Sequence, residues 1–94
     1  MEFSFEWDDE KARRNLRDHG VSFEEAKTLF NDPFLITYAD PDHSEYEQRY
    51  LSIGHSSSGR VLIVFHTDRG KNIRIISCRK ADHSERKAYE EGTF

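Results

Sequence analysis

The chain has 94 residues and a formal net charge of -4, which fits one domain over residues 1–94 and excludes separate cofactor and substrate domains. Charged residues form 34% of the chain and aromatic residues 13%, which excludes a disordered protein, and no apolar run approaches the roughly 20 residues of a membrane-spanning helix. The single cysteine, Cys78, cannot form an internal disulfide, so we expect a reducing, cytoplasmic environment.

The first predicted elements are a short strand and a helix. Phe3, Phe5 and Trp7 alternate with polar residues, which is the period-2 pattern of a strand with one buried face. Asp8 is suited to cap a helix that starts with two acidic residues and runs to about residue 19. Gly20 follows at the position where glycine commonly ends a helix, so we expect the chain to turn there.

A second helix is predicted from the sequence SFEE at residues 22–25. This sequence matches a capping box, in which Ser22 and Glu25 each bond the other's backbone. The apolar residues that follow fall on one helical face, and the sequence NDP at residues 31–33 ends the helix. The two short helices therefore form a predicted helical hairpin that needs an apolar surface to pack on.

The second half of the chain is predicted to form four strands joined by short polar turns. The strands cover residues 34–38, about 47–55, 60–67 and 72–79, and an antiparallel meander is the simplest topology for them. Asp82 and Glu85 form another capping pattern, which opens a last short helix through about Glu91. The predicted fold class is α+β, with the N-terminal helix pair and the short C-terminal helix packed around the antiparallel sheet.

Basic charge is concentrated between residues 60 and 80, although the whole chain is acidic. This basic strip holds six lysines or arginines against one acidic residue, whereas residues 1–59 hold six against 13. Such a cluster can form a local anion site on an acidic protein, or it can be a solvated strand face without a ligand. The six cations are Arg60, Arg69, Lys71, Arg74, Arg79 and Lys80.

Strand alternation determines which of these side chains share a face. In the third predicted strand, Val61, Ile63 and Phe65 lie on one face and the even-numbered residues on the other. In the fourth strand, Arg74 and Arg79 are expected on opposite faces, unless a bulge or a different register exchanges them. A meander can bring four arginines close together, or each can be an exposed residue bonded to a neighbouring acid. These four are Arg49, Arg60, Arg74 and Arg79.

Metal and thiol chemistry have little support in the sequence. The five histidines occur neither at the i, i+4 helical spacing nor in the cysteine and histidine clusters of metal sites, so we expect no metal ion. The glycines lack the context of a nucleotide-binding loop, so we expect no cofactor. Cys78 lies within a predicted strand, where a buried, inert thiol is expected rather than a nucleophile activated by Arg79.

Several blocks of the sequence together resemble the BrnT toxin family. The opening blocks are FEWD at residues 5–8, with Lys11 and Asn15, and HGVSFEEA at residues 19–26. The later blocks are HS at residues 43–44, EQRY at 47–50, IG at 53–54, GR at 59–60, RIISCRKA at 74–81 and ERKAYE at 85–90. The blocks extend over nearly the whole chain, and Cys78 stands where the family more often has a small residue such as alanine.

The resemblance implies a RelE-like fold, an endoribonuclease activity that blocks translation, and neutralisation by a BrnA-like antitoxin that also binds DNA. RNA and the antitoxin are then the expected partners, and DNA is reached only through the antitoxin. A ribonuclease needs no metal if the substrate's own 2′-hydroxyl attacks the adjacent phosphate and leaves a 2′,3′-cyclic end. The protein then supplies only charge stabilisation and proton transfer.

Arginines suit this charge stabilisation because their planar, permanently charged groups bind phosphate oxygens in pairs. The residues predicted to hold the phosphate as catalytic groups are Arg49, Arg74 and Arg79. His66 is the candidate proton donor or acceptor, because an imidazole titrates near neutral pH, or else it is an exposed residue at a strand end. The predicted substrate-binding residues are Arg60, Lys80 and Arg86. The alternative function is a non-catalytic module that uses the basic strip to bind RNA or an acidic protein.

Overall fold

The computed structural model describes residues 3–40, 42 and 47–92, and within them the predicted helices and strands all occur. The elements are, in chain order, β1 Ser4–Glu6, α1 Asp9–His19, α2 Phe23–Ala26 with a 3₁₀ turn Lys27–Asn31, β2 Ile36–Ala39, β3 Arg49–His55, β4 Val61–Arg69, β5 Asn72–Lys80 and α3 His83–Glu91. No helix in this part of the chain is both long and apolar enough to cross a membrane. Pro41, which lies in one of the short polar turns predicted between the strands, and the block at residues 43–44 are outside the described residues.

The strands form one mixed sheet in the order β1-β5-β4-β3-β2. Strands β2 to β5 form the predicted antiparallel meander. Strand β1 instead runs parallel to β5, from Ser4 opposite Asn72 to Glu6 opposite Arg74, so the prediction of a purely antiparallel sheet is wrong. The meander leaves the outer edge of β5 with unpaired backbone groups, and β1 pairs with part of that edge.

The ends of α1 and α3 follow the predicted capping chemistry. Asp8 accepts a hydrogen bond from the backbone three residues further on, and Gly20 ends α1 with a φ of 69°. The Gly20 N–H donates to the Leu16 carbonyl at 2.9 Å, as in the left-handed ending that glycine favours. At α3, the side chains of Asp82 and Glu85 each accept from the other's backbone N–H, which completes the predicted capping box.

The start of α2 differs from the prediction in one bond. The Ser22 hydroxyl accepts from the Glu25 N–H at 3.0 Å, as expected. The Glu25 carboxylate does not return to Ser22 but accepts two bonds from Arg60. A local sequence pattern cannot anticipate this result, because Arg60 is 35 residues away along the chain and competes for the carboxylate through the tertiary fold.

Two apolar clusters lie on opposite sides of the sheet. We call the side that packs against α1, α2 and the 3₁₀ turn the helix face, and its buried cluster consists of Val21, Phe23, Ala26, Leu29, Leu62, Val64, Ile75 and Cys78. On the other side, α3 packs over one end of the sheet with the buried cluster Ile53, Val61, Ile63, Ala81 and Tyr89. Strand β4 is therefore buried on both faces, although its alternation is as predicted.

Asn15 fastens α1 to the edge of β5 beyond the short strand β1. Its amide oxygen accepts the Cys78 N–H at 3.0 Å, and its amide nitrogen donates to the Cys78 and Val21 carbonyls at 2.8 and 2.9 Å. These bonds satisfy backbone groups of β5 that β1 does not reach, since β1 ends opposite Arg74. Asn15 thus completes the pairing of the strand that carries two of the predicted arginines.

Candidate functional site

A β-bulge in β5 places Arg74 and Arg79 on the same side of the sheet. The pairing of β5 with β4 shifts between Phe65 and His66, so Ile76 is an extra residue in β5. Side chains alternate along a regular strand, and residues five apart would otherwise point to opposite faces. Regular alternation therefore does not hold in β5, and the alternative left open by the sequence, that a bulge exchanges the faces, is the one observed.

Arg49 joins these two arginines on the same face through cross-strand pairing. Arg49 lies opposite Thr67 of β4, and Thr67 lies opposite Arg74 of β5. Directly opposed residues share a face, so the two arginines flank Thr67. Arg74 also donates to Glu6 of β1 at 2.9 Å, which extends the row to a fourth strand. We call this side of the sheet, opposite the helix face, the arginine face.

Acidic residues accompany the arginines at the same end of the sheet. Glu47 accepts two bonds from Arg69, with nitrogen–oxygen distances of 3.0 and 3.2 Å. The hydrogen bond from Arg69 lowers the pKa of Glu47, and the charges of Arg69, Arg74 and Arg49 act in the same direction. Arg49 and Arg74 therefore act electrostatically on Glu47, although the ion pair of Glu47 is with Arg69.

Arg79 connects the arginine face to α3 through an ion pair with an acidic residue of that helix. Its two terminal nitrogens donate to the two oxygens of Glu85 at 2.8 and 2.9 Å. The same Glu85 closes the capping box of α3, so Arg79 is tied to the start of that helix. The arginine side chain is nevertheless 39% exposed. The structure therefore shows the bond to a neighbouring acid and also leaves the side chain partly exposed.

His66 lies on the helix face and is 1% exposed, so it does not meet the arginines on the other side. Its Nδ1 and Nε2 lie 2.8 Å from the Asp68 carboxylate and from the Ser52 hydroxyl. Because a carboxylate only accepts, Nδ1 donates to Asp68, and the neutral ring accepts from Ser52 at Nε2. Burial lowers the pKa of His66, although Asp68 opposes the shift. The ring also stacks on Tyr50 and meets Phe30 edge-on.

Comparisons with known proteins show the family of this chain. A family model described as the ribonuclease toxin BrnT of type II toxin-antitoxin systems matches residues 7–85. The chain belongs to the BrnT family. The 1.1 Å crystal structure of the Brucella abortus ribonuclease toxin BrnT shares the fold, with a TM-score of 0.63 and 20% sequence identity over 86% of this chain and 99% of that one. A comparison with curated proteins gives no match.

In this BrnT-family chain, Arg60 is separated from the arginine face. Its Nε and Nη2 donate to the Glu25 carboxylate, and Nη2 also donates to the Gly20 carbonyl at 3.2 Å. The hydrogen bonds from Arg60 are the main reason that the pKa of Glu25 falls to about 2, and the hydroxyls of Ser58 and Ser56 contribute. Arg60 thus joins the start of β4 to the helical hairpin, and only three of the four arginines share a face.

The three predicted substrate-binding residues do line a common pocket at the end of the sheet. This end pocket has a volume of about 320 Å³, and its lining includes Arg60, Lys80, Arg86, His55 and Glu90. The imidazole of His55 lies with its Nδ1 3.3 Å from the Tyr89 hydroxyl, which donates to Asp32. His55 was not among the residues predicted from the sequence, because nothing in its strand-end context distinguishes it from an ordinary exposed histidine.

Cys78 is a buried residue of the helix face, 1% exposed. Burial raises the pKa of its thiol to about 12, so the thiolate needed for nucleophilic attack is scarce at neutral pH. The expected burial of Cys78 is confirmed. Within residues 3–40, 42 and 47–92, no group of three or more histidine, cysteine, aspartate or glutamate side chains is placed to hold a metal ion.

Proposed function

We propose that the arginine face is the site at which this toxin cleaves RNA, and that the reaction needs no metal ion. The observation that carries the proposal is the bulge at Ile76, because it places Arg74 and Arg79 on the same face as Arg49. Membership of a ribonuclease toxin family supplies the class of reaction. Guanidinium groups bind phosphate oxygens in pairs and remain charged, so they can take the part that a metal ion plays in other nucleases.

The proposed reaction is a transphosphorylation within the RNA chain. The 2′-oxygen forms a bond to the adjacent phosphorus as the bond to the 5′-oxygen breaks, which leaves a 2′,3′-cyclic phosphate and a 5′-hydroxyl. The 2′-hydroxyl gives up one proton and the leaving oxygen takes one up, so no water is consumed. Arg49 and Arg74 hold the phosphate, and Arg79 stabilises the additional negative charge of the transition state. Its two bonds to Glu85 keep the Arg79 group oriented before RNA binds.

In this proposal His66 transfers no proton. It holds the two strands beneath the site together from the helix face. Both ring nitrogens are already bonded, and the sheet separates the ring from the arginine face. A neutral, buried ring that bonds Ser52 and Asp68 fixes β3 and β4 relative to one another. The row of Arg49 and Thr67 spans the same two strands. Direct proton transfer by His66, as predicted from the sequence, has no support in this geometry.

We assign RNA binding outside the reacting centre to the end pocket. Lys80 and Arg86 line it and are exposed, so they can bind a phosphate further along the RNA chain. Arg60 contributes positive charge to the wall of the same pocket while its bonds to Glu25 hold it in place. Contacts of this kind position RNA without reading its bases.

A toxin of a type II system is expected to pair with an antitoxin. We propose a BrnA-like antitoxin that covers the arginine face, so that the paired toxin cannot bind RNA, and that provides the DNA binding of the pair. The support is physical, since a partner bound to the folded state also stabilises a domain of this size.

We likewise propose that the α+β fold belongs to the RelE-like class.

Incubation of the purified chain with RNA tests the proposed reaction. We expect cleavage at an unchanged rate in EDTA and products with 2′,3′-cyclic phosphate ends. A rate that collapses in EDTA and recovers with one particular metal would contradict the mechanism. Binding of RNA without cleavage would instead favour the non-catalytic module that uses the basic strip.

A further inference from the structure

Thr67 is a buried residue of the arginine face whose hydroxyl has no partner. The residue is 1% exposed, and its Oγ1 is the one buried side-chain nitrogen or oxygen in the described part of the chain that lacks a hydrogen bond. Burying an unbonded hydroxyl destabilises a folded protein, so such groups are rare. An unbonded hydroxyl therefore needs an explanation outside the fold itself.

Packing does not require a hydroxyl at this position. Other buried polar groups of the protein are bonded: Ser52 to His66, Asn15 to two backbone carbonyls and an N–H, and Ser56 to a helix carboxylate. Valine has nearly the shape of threonine and favours strands equally well, so it would fill the site without an unbonded oxygen. The hydroxyl is thus unexplained by stability.

The neighbours of Thr67 indicate what kind of group would bind it. Arg49 and Arg74 are its directly opposed residues on the two adjacent strands. Neighbouring strands lie about 5 Å apart, so the two arginine backbones are roughly 10 Å apart with Thr67 midway between them. Long guanidinium side chains reach across such a gap, and a ligand held between them would be an anion with several acceptor oxygens.

We propose that Arg49, Thr67 and Arg74 form the binding site for the scissile phosphate of RNA. RNA binding displaces the side chains that cover Thr67, and the Thr67 hydroxyl then donates a hydrogen bond to a non-bridging phosphate oxygen. This inference rests on the proposed function. The arginines supply charge, and Thr67 supplies a neutral donor whose oxygen is held in position because a β-branched side chain in a strand has little freedom about χ1. A fixed donor of this kind strengthens its bond as negative charge grows in the transition state.

Thr67→Val tests the proposal because it removes only the hydroxyl. We expect single-turnover RNA cleavage to fall roughly ten- to a hundredfold, the range for a lost hydrogen bond to a charged group. The melting temperature is expected to stay the same or rise, since an unbonded buried hydroxyl is replaced by a methyl group. A Thr67→Val protein that cleaves RNA at the wild-type rate would overturn the proposal.

Two further comparisons separate the loss of the hydroxyl from a disturbance of the sheet. Thr67→Ser and Thr67→Ala both lose the methyl group and differ only in the hydroxyl, so the serine variant should be the more active even if valine disturbs the sheet. Thr28→Val is the matched control, because its hydroxyl is bonded to the Glu25 carbonyl and the Ser57 N–H away from this face. It should lower the melting temperature and leave cleavage unchanged.

Binding of an RNA oligonucleotide with 2′-O-methyl groups, which cannot be cleaved by this mechanism, separates the hydrogen bond from the charge. We expect Thr67→Val to weaken binding at every salt concentration with an unchanged salt dependence, whereas Arg49→Ala lowers the slope of log affinity against log salt by about one. Equal binding and equal cleavage by wild type and Thr67→Val would refute the Thr67 site alone. Absence of cleavage by the wild type would refute the proposed function.

Discussion

On the helix face, the polar side chains are bonded to each other or to the backbone, whereas the arginine face carries half-buried guanidinium groups and an unbonded hydroxyl. Asn15 makes three bonds to the backbone, and His66 is held by Ser52 and Asp68. On the other face, Thr67 is unbonded among the described residues and Arg79 keeps a side chain that is 39% exposed. The difference supports our proposal that one face stabilises the fold and the other binds RNA.

The largest effect that we expect from a single substitution is on cleavage, in Arg79→Ala. Loss of a charged contact to the transition state typically reduces the rate by roughly 10² to 10³, or about 3 to 4 kcal/mol. Stability should fall by no more than about 1 kcal/mol, because the pair with Glu85 is partly exposed. Single-turnover cleavage and thermal unfolding measured side by side give both quantities.

Glu85→Gln is the control for this substitution, since it weakens the ion pair and keeps Arg79. If Arg79→Ala and Glu85→Gln both left cleavage near the wild-type rate, Arg79 would only hold the start of α3. That result would contradict the proposal that Arg79 stabilises the transition state.

Asn15→Ala should have the opposite profile, with a large effect on stability and a small one on cleavage. The substitution leaves the Cys78 N–H and two carbonyls without partners, and we expect it to lower the free energy of unfolding by about 3 kcal/mol. Urea unfolding measures the loss, and cleavage assayed at low temperature shows whether the folded variant remains active. A folded Asn15→Ala protein with a hundredfold lower rate would contradict the separation of the two faces.

A smaller effect, of about 2 kcal/mol at neutral pH, is expected for the stability of Arg60→Ala. Because the folded protein holds the pKa of Glu25 at about 2, below its ordinary value of 4.5, this carboxylate stabilises the fold above pH 4.5. The contribution is lost as the pH falls from 4.5 towards 2. Arg60→Ala should therefore show a weaker dependence of stability on pH across this window, measured by urea unfolding at several pH values.

Arg17→Ala is the matched control for Arg60→Ala, because Arg17 pairs with Asp18 and both side chains are more than half exposed. It should change stability little at any pH. If stability depended on pH in the same way in both variants, the bonds of Arg60 to Glu25 would not be the source of the pH dependence.

The sequence predicted the elements and several of their ends for local reasons. Gly20 and the pair of Asp82 and Glu85 act through contacts within a few residues, and the structure has them as predicted. The parallel pairing of β1 could not be predicted, because alternation in residues 3–7 reveals a buried face but not which strand lies beside it. The family was recognisable from blocks that extend along most of the chain.

The arrangement of the site was harder to predict than the fold. Arg49, Arg74 and Arg79 were chosen for their chemistry, but their common face depends on the bulge at Ile76, which only cross-strand pairing defines. The burial of His66 was missed because its strand is covered on both faces. Thr67 carries no signal in the sequence at all, since its distinguishing feature is an absent hydrogen bond within the described structure.

The most direct test of the account is to locate RNA on one face of the sheet by NMR. Uncleavable 2′-O-methyl RNA is titrated into protein whose methyl groups are labelled, and shifts are compared between the two faces. The account predicts the largest changes at the Thr67 and Leu51 methyl groups of the arginine face, and small changes at Leu29 and Val64 of the helix face. Changes concentrated at Leu29 and Val64, with Thr67 and Leu51 unmoved, would contradict it.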